Sequence, residues 1–261
     1  MSKWILVMCA TLCALTNANA AVKTEVVNYE YDGTKLKGYI SYDDRIEGKR
    51  PGVLVVHEWW GLDEYAKKRA VMLAEMGYVA MAVDMYGEGK LTEHPNEARE
   101  MATAVRKNID SWMGRAKAGL KVLQSNPHVD PKKIASIGYC FGGTTSLLLA
   151  QNSSDISAVV SFHGALPMTT AEQAKSIKAR VLICHGADDK FIPEEAIKKF
   201  RTAYDSAGVK YEFVAYPGAV HSFTVPDADA RKIDGMKYDE KADKESWKAM
   251  SDLFKQVFAT K

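Results

Sequence analysis

Short, unbroken apolar runs alternate with helical stretches along most of this chain. The runs are Gly52–Val56, Tyr78–Val83, Ile134–Ile137, Ala158–Phe162, Val181–Cys184 and Tyr211–Ala215. Continuous apolarity over such lengths suits strands buried on both faces of a mostly parallel sheet. Between the runs, Glu64–Met76, Asn96–Gln124, Gly142–Ala150, Pro193–Ala207 and Glu240–Phe258 are predicted as helices, the second broken near Asp110. Pro193-Glu194-Glu195 opens its helix with a proline and two carboxylates, and Gly208 closes it. Ahead of this alternation, Val22–Tyr31 and Lys35–Tyr42 are rich in β-branched and aromatic residues. They flank Asp32-Gly33-Thr34, which predicts an antiparallel hairpin. The whole pattern predicts one α/β domain: a mostly parallel sheet with an N-terminal antiparallel hairpin and helices on both faces.

The first twenty residues break the pattern. Lys3 gives a positive start, Trp4–Leu15 is almost entirely apolar, and Ala18-Asn19-Ala20 places small residues at a cleavage point. This predicts a secretory signal peptide over 1–20, cut after Ala20, and a domain over 21–261 that works in the periplasm or outside the cell. The apolar run is too short to span a bilayer comfortably, so no stable membrane association is expected after cleavage. Cleavage also removes Cys9 and Cys13, leaving Cys140 and Cys184. Two cysteines suffice for one bridge, yet they do not make a disulfide scaffold, and each has its own local explanation.

The remaining composition excludes more than it reveals. Hydrophobic residues make up 47% of the chain and the formal net charge is +2, with acids and bases interleaved. No basic block or aromatic-basic stripe suggests a nucleic-acid surface. No G-x-G-x-x-G, P-loop or metal-ligand spacing calls for a cofactor or a metal.

The chemistry concentrates where a buried-strand pattern runs into Gly138-Tyr139-Cys140-Phe141-Gly142 and then into a helical pattern. This is a nucleophile elbow, G-x-nucleophile-x-G, with cysteine in the place more often held by serine. The glycines relieve crowding in a tight turn. A helix N-terminus favours the thiolate. The Phe141 N–H points where an oxyanion would form. Two partners follow in the order this arrangement needs. Asp189 lies in the loop after Val181–Cys184 and is preferred to Asp188 for its Asp-x-x-Ile-Pro spacing, and His221 follows the last strand. A third segment, His57-Glu58-Trp59-Trp60-Gly61, ends an early strand and is placed to supply a second oxyanion N–H from Trp59. There Glu58 would either raise the thiol pKa or serve as an alternative proton acceptor. Trp59 and Trp60 would either wall the substrate pocket or cap the core. His57, His163 and His185 lie at strand ends as structural or pocket-lining residues, and Cys184 reads as a core hydrophobe.

Together these segments, with Asp84-Met85-Tyr86-Gly87 and His221-Ser222-Phe223, resemble the dienelactone hydrolase (carboxymethylenebutenolidase) family of α/β-hydrolases over about Val22 to Phe258. The resemblance implies a Cys140–His221–Asp189 triad and a Glu58 that contacts the resting cysteine and helps to activate it. Trp60, Tyr86, Tyr139, His163 and Phe223 would line the substrate pocket. The resemblance also implies two arginines that hold a substrate carboxylate, one after the Asp-x-Tyr segment and one after the histidine. Neither neighbourhood carries an arginine here. The expectation is therefore an exported hydrolase that cleaves a small-molecule ester or lactone through a thioester acyl-enzyme, but not dienelactone itself. A thioesterase or peptidase on the same scaffold, or a non-catalytic ligand-binding protein of hydrolase fold, are the alternatives.

Overall fold

The structure is a computed structural model that describes residues 22–153 and 155–259. The expected leader, residues 1–20, lies outside the described residues. The described chain opens with β1 (Val22–Tyr31) and β2 (Thr34–Asp43), paired antiparallel with Tyr31 opposite Thr34. The two-residue turn between them has positive φ at both Asp32 (48°) and Gly33 (71°), the backbone that matches the natural twist of a hairpin.

The remaining elements are β3 (Arg50–Val56), α1 (Glu64–Glu75), β4 (Val79–Val83), α2 (Pro95–Arg106), α3 (Ile109–Ser125), β5 (Val129–Tyr139), α4 (Phe141–Asn152), β6 (Ala158–Phe162), α5 (Ala171–Ala174), β7 (Arg180–Gly186), α6 (Glu194–Ala207), β8 (Tyr211–Tyr216) and α7 (Glu240–Phe258). The eight strands form one sheet in the order β1-β2-β4-β3-β5-β6-β7-β8, parallel from β4 onward. Strands β3 to β7 are buried almost throughout, because helices cover both faces. One core layer packs under α1 and α7, with Ala70, Leu73, Met250 and Phe254. The other packs under α2 to α6, with Trp112, Leu147, Phe200 and Tyr204.

The predicted long helix is two helices, and the break falls at 107–108, close to Asp110 as expected. The Asn108 side chain sets it by accepting the Ser111 N–H at 3.0 Å as an N-cap. Parallel strands put their C-terminal ends on one edge, so the loops after β3, β5, β6, β7 and β8 gather there.

Candidate active site

Cys140 sits between the end of β5 and the first turn of α4, with φ 50° and ψ −112°. Left-handed backbone is costly for a residue with a side chain, and it persists where the surroundings enforce it. Here they do. A Cβ on Gly138 would lie 2.1 Å from the Gly142 carbonyl oxygen, and one on Gly142 would lie 2.1 Å from that of Val56. The Cys140 N–H donates to the Phe162 carbonyl at 3.0 Å, tying the turn to β6. His163 (φ 40°) and Ser222 (φ 56°), in the loops after β6 and β8, are also held in left-handed backbone.

His221 lines the same cleft as Cys140, and the two side chains interact electrostatically. Its Nδ1 lies 2.8 Å from Asp189 Oδ2, while Asp189 Oδ1 accepts the Phe191 N–H at 2.9 Å. Asp189 is buried beside the imidazole, while Asp188 is exposed. Burial works against a charged His221, but the Cys140 sulfur and Asp189 outweigh it and push the imidazole up to about 10. The N–H groups of Phe141 and Trp59 take no backbone acceptor among the described residues, so both remain available to an oxyanion. The Trp59 loop is fixed from behind. Tyr86 donates its hydroxyl to the Trp59 carbonyl at 2.9 Å, and His57 Nε2 accepts the Met85 N–H at 3.2 Å. Asp84, in turn, accepts the N–H groups of Tyr86, Gly87 and Gly89, each at 2.8 Å.

Glu58 does not take the partner expected of it. Its Oε1 accepts the Ser222 hydroxyl at 3.0 Å and lies 3.8 Å from His163 Nδ1, so it sits behind the imidazole instead of on the sulfur. Burial, helped by Asp63, pushes this carboxyl up to about 7 against the pull of His221, Ser222 and Arg231. A chain of buried polar groups leads away from it. His163 Nε2 lies 2.8 Å from Thr224 Oγ1, which lies 2.6 Å from the Tyr65 hydroxyl, and that oxygen accepts from Arg69 Nε at 3.1 Å. Burial holds the His163 imidazole well below its ordinary pKa, and its Nδ1 faces Glu58.

The cleft over the sulfur encloses about 310 Å³ and is walled by Trp59, Arg99, Arg106, Phe191, Ile192 and His221. Of the two tryptophans, Trp59 is therefore the one in the wall. The other expected pocket residues form the layer behind it. Trp60 is buried under the Arg231 guanidinium, 4.0 Å away. Tyr139 alternates onto the α1/α7 face and stacks on Phe162. Phe223 packs between His163 and Tyr216, and Tyr86 lies against His57 and Phe141. The cleft is also not devoid of arginine, because Arg99 and Arg106 reach it from α2. With Ala102 they occupy positions i, i+3 and i+7, one face of a helix. That spacing was present in the sequence, but nothing local marks the helix as one that crosses the site. Cys184 is buried and both described cysteines are free thiols. Among the described residues, no group of three His, Cys or carboxylate side chains is placed to hold a metal, and no helix is long and apolar enough to cross a membrane.

Comparison with known proteins agrees with this architecture. Residues 36–258 match the family model described as the Dienelactone hydrolase family. The chain is 32% identical to Protein usf of Aquifex pyrophilus over 204 residues, covering 76% of this chain and 86% of that one. A solved dienelactone hydrolase-like promiscuous phosphotriesterase from metagenomic libraries superimposes with a TM-score of 0.88 at 37% identity, covering 91% of this chain and 99% of that one. A solved protein named m3DLH superimposes equally well, at 38% identity and the same coverage. The chain belongs to the dienelactone hydrolase family and has the hydrolytic scaffold of that family.

Proposed function

We propose that this protein is an exported hydrolase that cleaves a small-molecule ester or lactone with Cys140 as nucleophile, His221 as acid and base, and Asp189 as the group that orients the imidazole. The observation that carries this reading is the elbow cysteine and an imidazole in one cleft, the imidazole held from behind by a buried carboxylate, with two N–H groups that take no backbone acceptor among the described residues.

The Cys140 thiolate attacks the carbonyl carbon, and the carbonyl electron pair becomes an oxyanion held by the Phe141 and Trp59 N–H groups. Removing one such donor typically costs about 3 kcal/mol of transition-state stabilisation. As the C–O bond breaks, the alkoxide takes the proton that a raised His221 still holds at neutral pH. The neutral imidazole then takes a proton from water, hydroxide adds to the thioester, and the sulfur leaves as thiolate. Arg99 and Arg106 at the cleft favour a substrate that carries negative charge, in place of the two missing arginines. Export rests on the leader pattern of residues 1–20.

The test is turnover of small aryl esters and lactones by the purified mature protein, with intact-mass detection of an acyl group on Cys140. Turnover is expected to vanish in Cys140→Ala, and wild-type rates in that variant would remove Cys140 from the role. Thioesters, peptides and phosphotriesters in the same screen test the competing reaction classes. N-terminal sequencing of protein recovered outside the cytoplasm is expected to begin at Ala21.

A further inference from the structure

The cleft over Cys140 is small, at the lower end of what a ligand site occupies, and a second cavity lies next to it along the chain. Two chain segments leave it side by side. Ala165, after β6, walls the cleft and the next residue, Leu166, walls a second, larger cavity. Ile192, after β7, does the same, and its neighbour Pro193 belongs to the second cavity. This groove encloses about 830 Å³ between the 166–171 segment and α6. Its lining is mainly apolar: Leu166, Pro167, Met168, Ala196 and Phe200, with Lys198 and Lys199 among the polar residues. Met168 is 96% exposed, so a large apolar side chain stands in water beside it.

We propose that the groove is a subsite for the hydrocarbon tail of the substrate, so that this hydrolase prefers esters with a medium to long alkyl chain over short ones. This rests on the ester-hydrolase reading above and deepens it. A carbonyl at Cys140 lets the tail run past Ala165 and Ile192 toward their chain neighbours Leu166 and Pro193, which line the groove along α6. A chain lying in the groove leaves water, and each methylene that does so fully favours binding by about fourfold. Most of the exposed lining is apolar, so the length of the bound chain contributes more to selection than its polar groups do. The arginines come from α2 and line the cleft but not the groove, which leaves the two ends of the site chemically distinct.

The experiment measures kcat/KM for p-nitrophenyl esters with acyl chains of four, eight and twelve carbons, below their aggregation limits, and for butyrate esters of alcohols of the same lengths. The acyl series and the alcohol series tell which side of the ester carries the tail. The wild type is expected to gain at least about tenfold from the shortest to the longest member of one series. Ala196→Trp and, separately, Thr202→Phe fill the groove and are expected to reduce the long-to-short ratio to about one. A flat or falling wild-type profile overturns the proposal, as does an undiminished ratio in both variants. Calorimetric titration with dodecanoate reads the groove without turnover, so it separates this proposal from the ester reading. Binding to wild type that weakens at least tenfold in both variants supports the subsite even if no ester is cleaved, and no binding overturns it. A wild-type dimer that either variant dissociates, seen by sedimentation, would assign the groove to a second copy of the chain and also overturn it.

Discussion

The two described cysteines stand near the C-terminal ends of β5 and β7, two strands apart in one sheet, yet their surroundings give them opposite chemistry. Cys184 ends the apolar stretch of β7 and is fully buried, and burial pushes its thiol up to about 12 although the Tyr216 hydroxyl donates to the sulfur at 3.7 Å. Cys140 is lifted out of β5 by a left-handed turn, stands partly exposed in a cleft and faces a histidine that a carboxylate holds in place. The residue type is the same. Backbone geometry and the neighbouring imidazole make the difference.

The largest effect that sharpens this contrast is on turnover. Cys140→Ala is expected to lower kcat/KM by about 10⁴-fold or more, leaving only what the oxyanion donors and binding supply. Cys184→Ala should leave kcat/KM within a few-fold of wild type in the same assay, and a collapse there would erase the contrast. Asp189→Asn comes next, with an expected loss of about 10²–10⁴-fold, because the amide no longer fixes the imidazole through Nδ1 or balances its charge. Alkylation by iodoacetamide at neutral pH, followed by peptide mass mapping, is expected to label Cys140 at least about a hundredfold faster than Cys184. Equal labelling of native protein would mean that the two environments do not differ as described.

The path of the chain was more legible than the walls of the site. Helix α7 matches its sequence pattern end to end, and α6 starts one residue later because Pro193 acts as its cap. Cys140, Asp189 and His221 could be found because each sits at a strand end next to turn residues whose chemistry is local. Pocket lining is not local. Tyr139 flanks the nucleophile in sequence, but strand alternation turns it to the opposite face of the sheet. Arg99 and Arg106 are forty or so positions away and enter the cleft only because α2 crosses it. Glu58 was legible as a residue near the site, but its partner was not, since Ser222 reaches it through a left-handed turn that no pattern announces.

Glu58 and Cys184 give the smaller effects, and both read on stability. A carboxyl whose folded pKa is raised to about 7 holds its proton in the folded state where the unfolded chain has lost it. Between the ordinary glutamate pKa and about 7, the folded state therefore binds more protons, and stability falls as pH rises through that window. Glu58→Gln removes this penalty. Thermal or urea unfolding should show little difference from wild type near pH 4.5 and a gain of up to roughly 3 kcal/mol for the variant at pH 8. A variant that is less stable at pH 8 would mean that the Ser222 and His163 contacts outweigh burial of the charge. Cys184→Ala is the smallest case. It removes a buried sulfur and leaves the Tyr216 hydroxyl without that acceptor, at an expected cost of about 1–2 kcal/mol. That cost should hold between pH 6 and about 7.5 and shrink toward pH 9, because the unfolded thiol ionises near its ordinary value of about 8.5 while the folded one, raised to about 12, stays protonated. A cost that stays flat to pH 9 would show that Cys184 ionises as readily in the folded protein as in the unfolded chain, and the difference between the two cysteines would then be one of access alone.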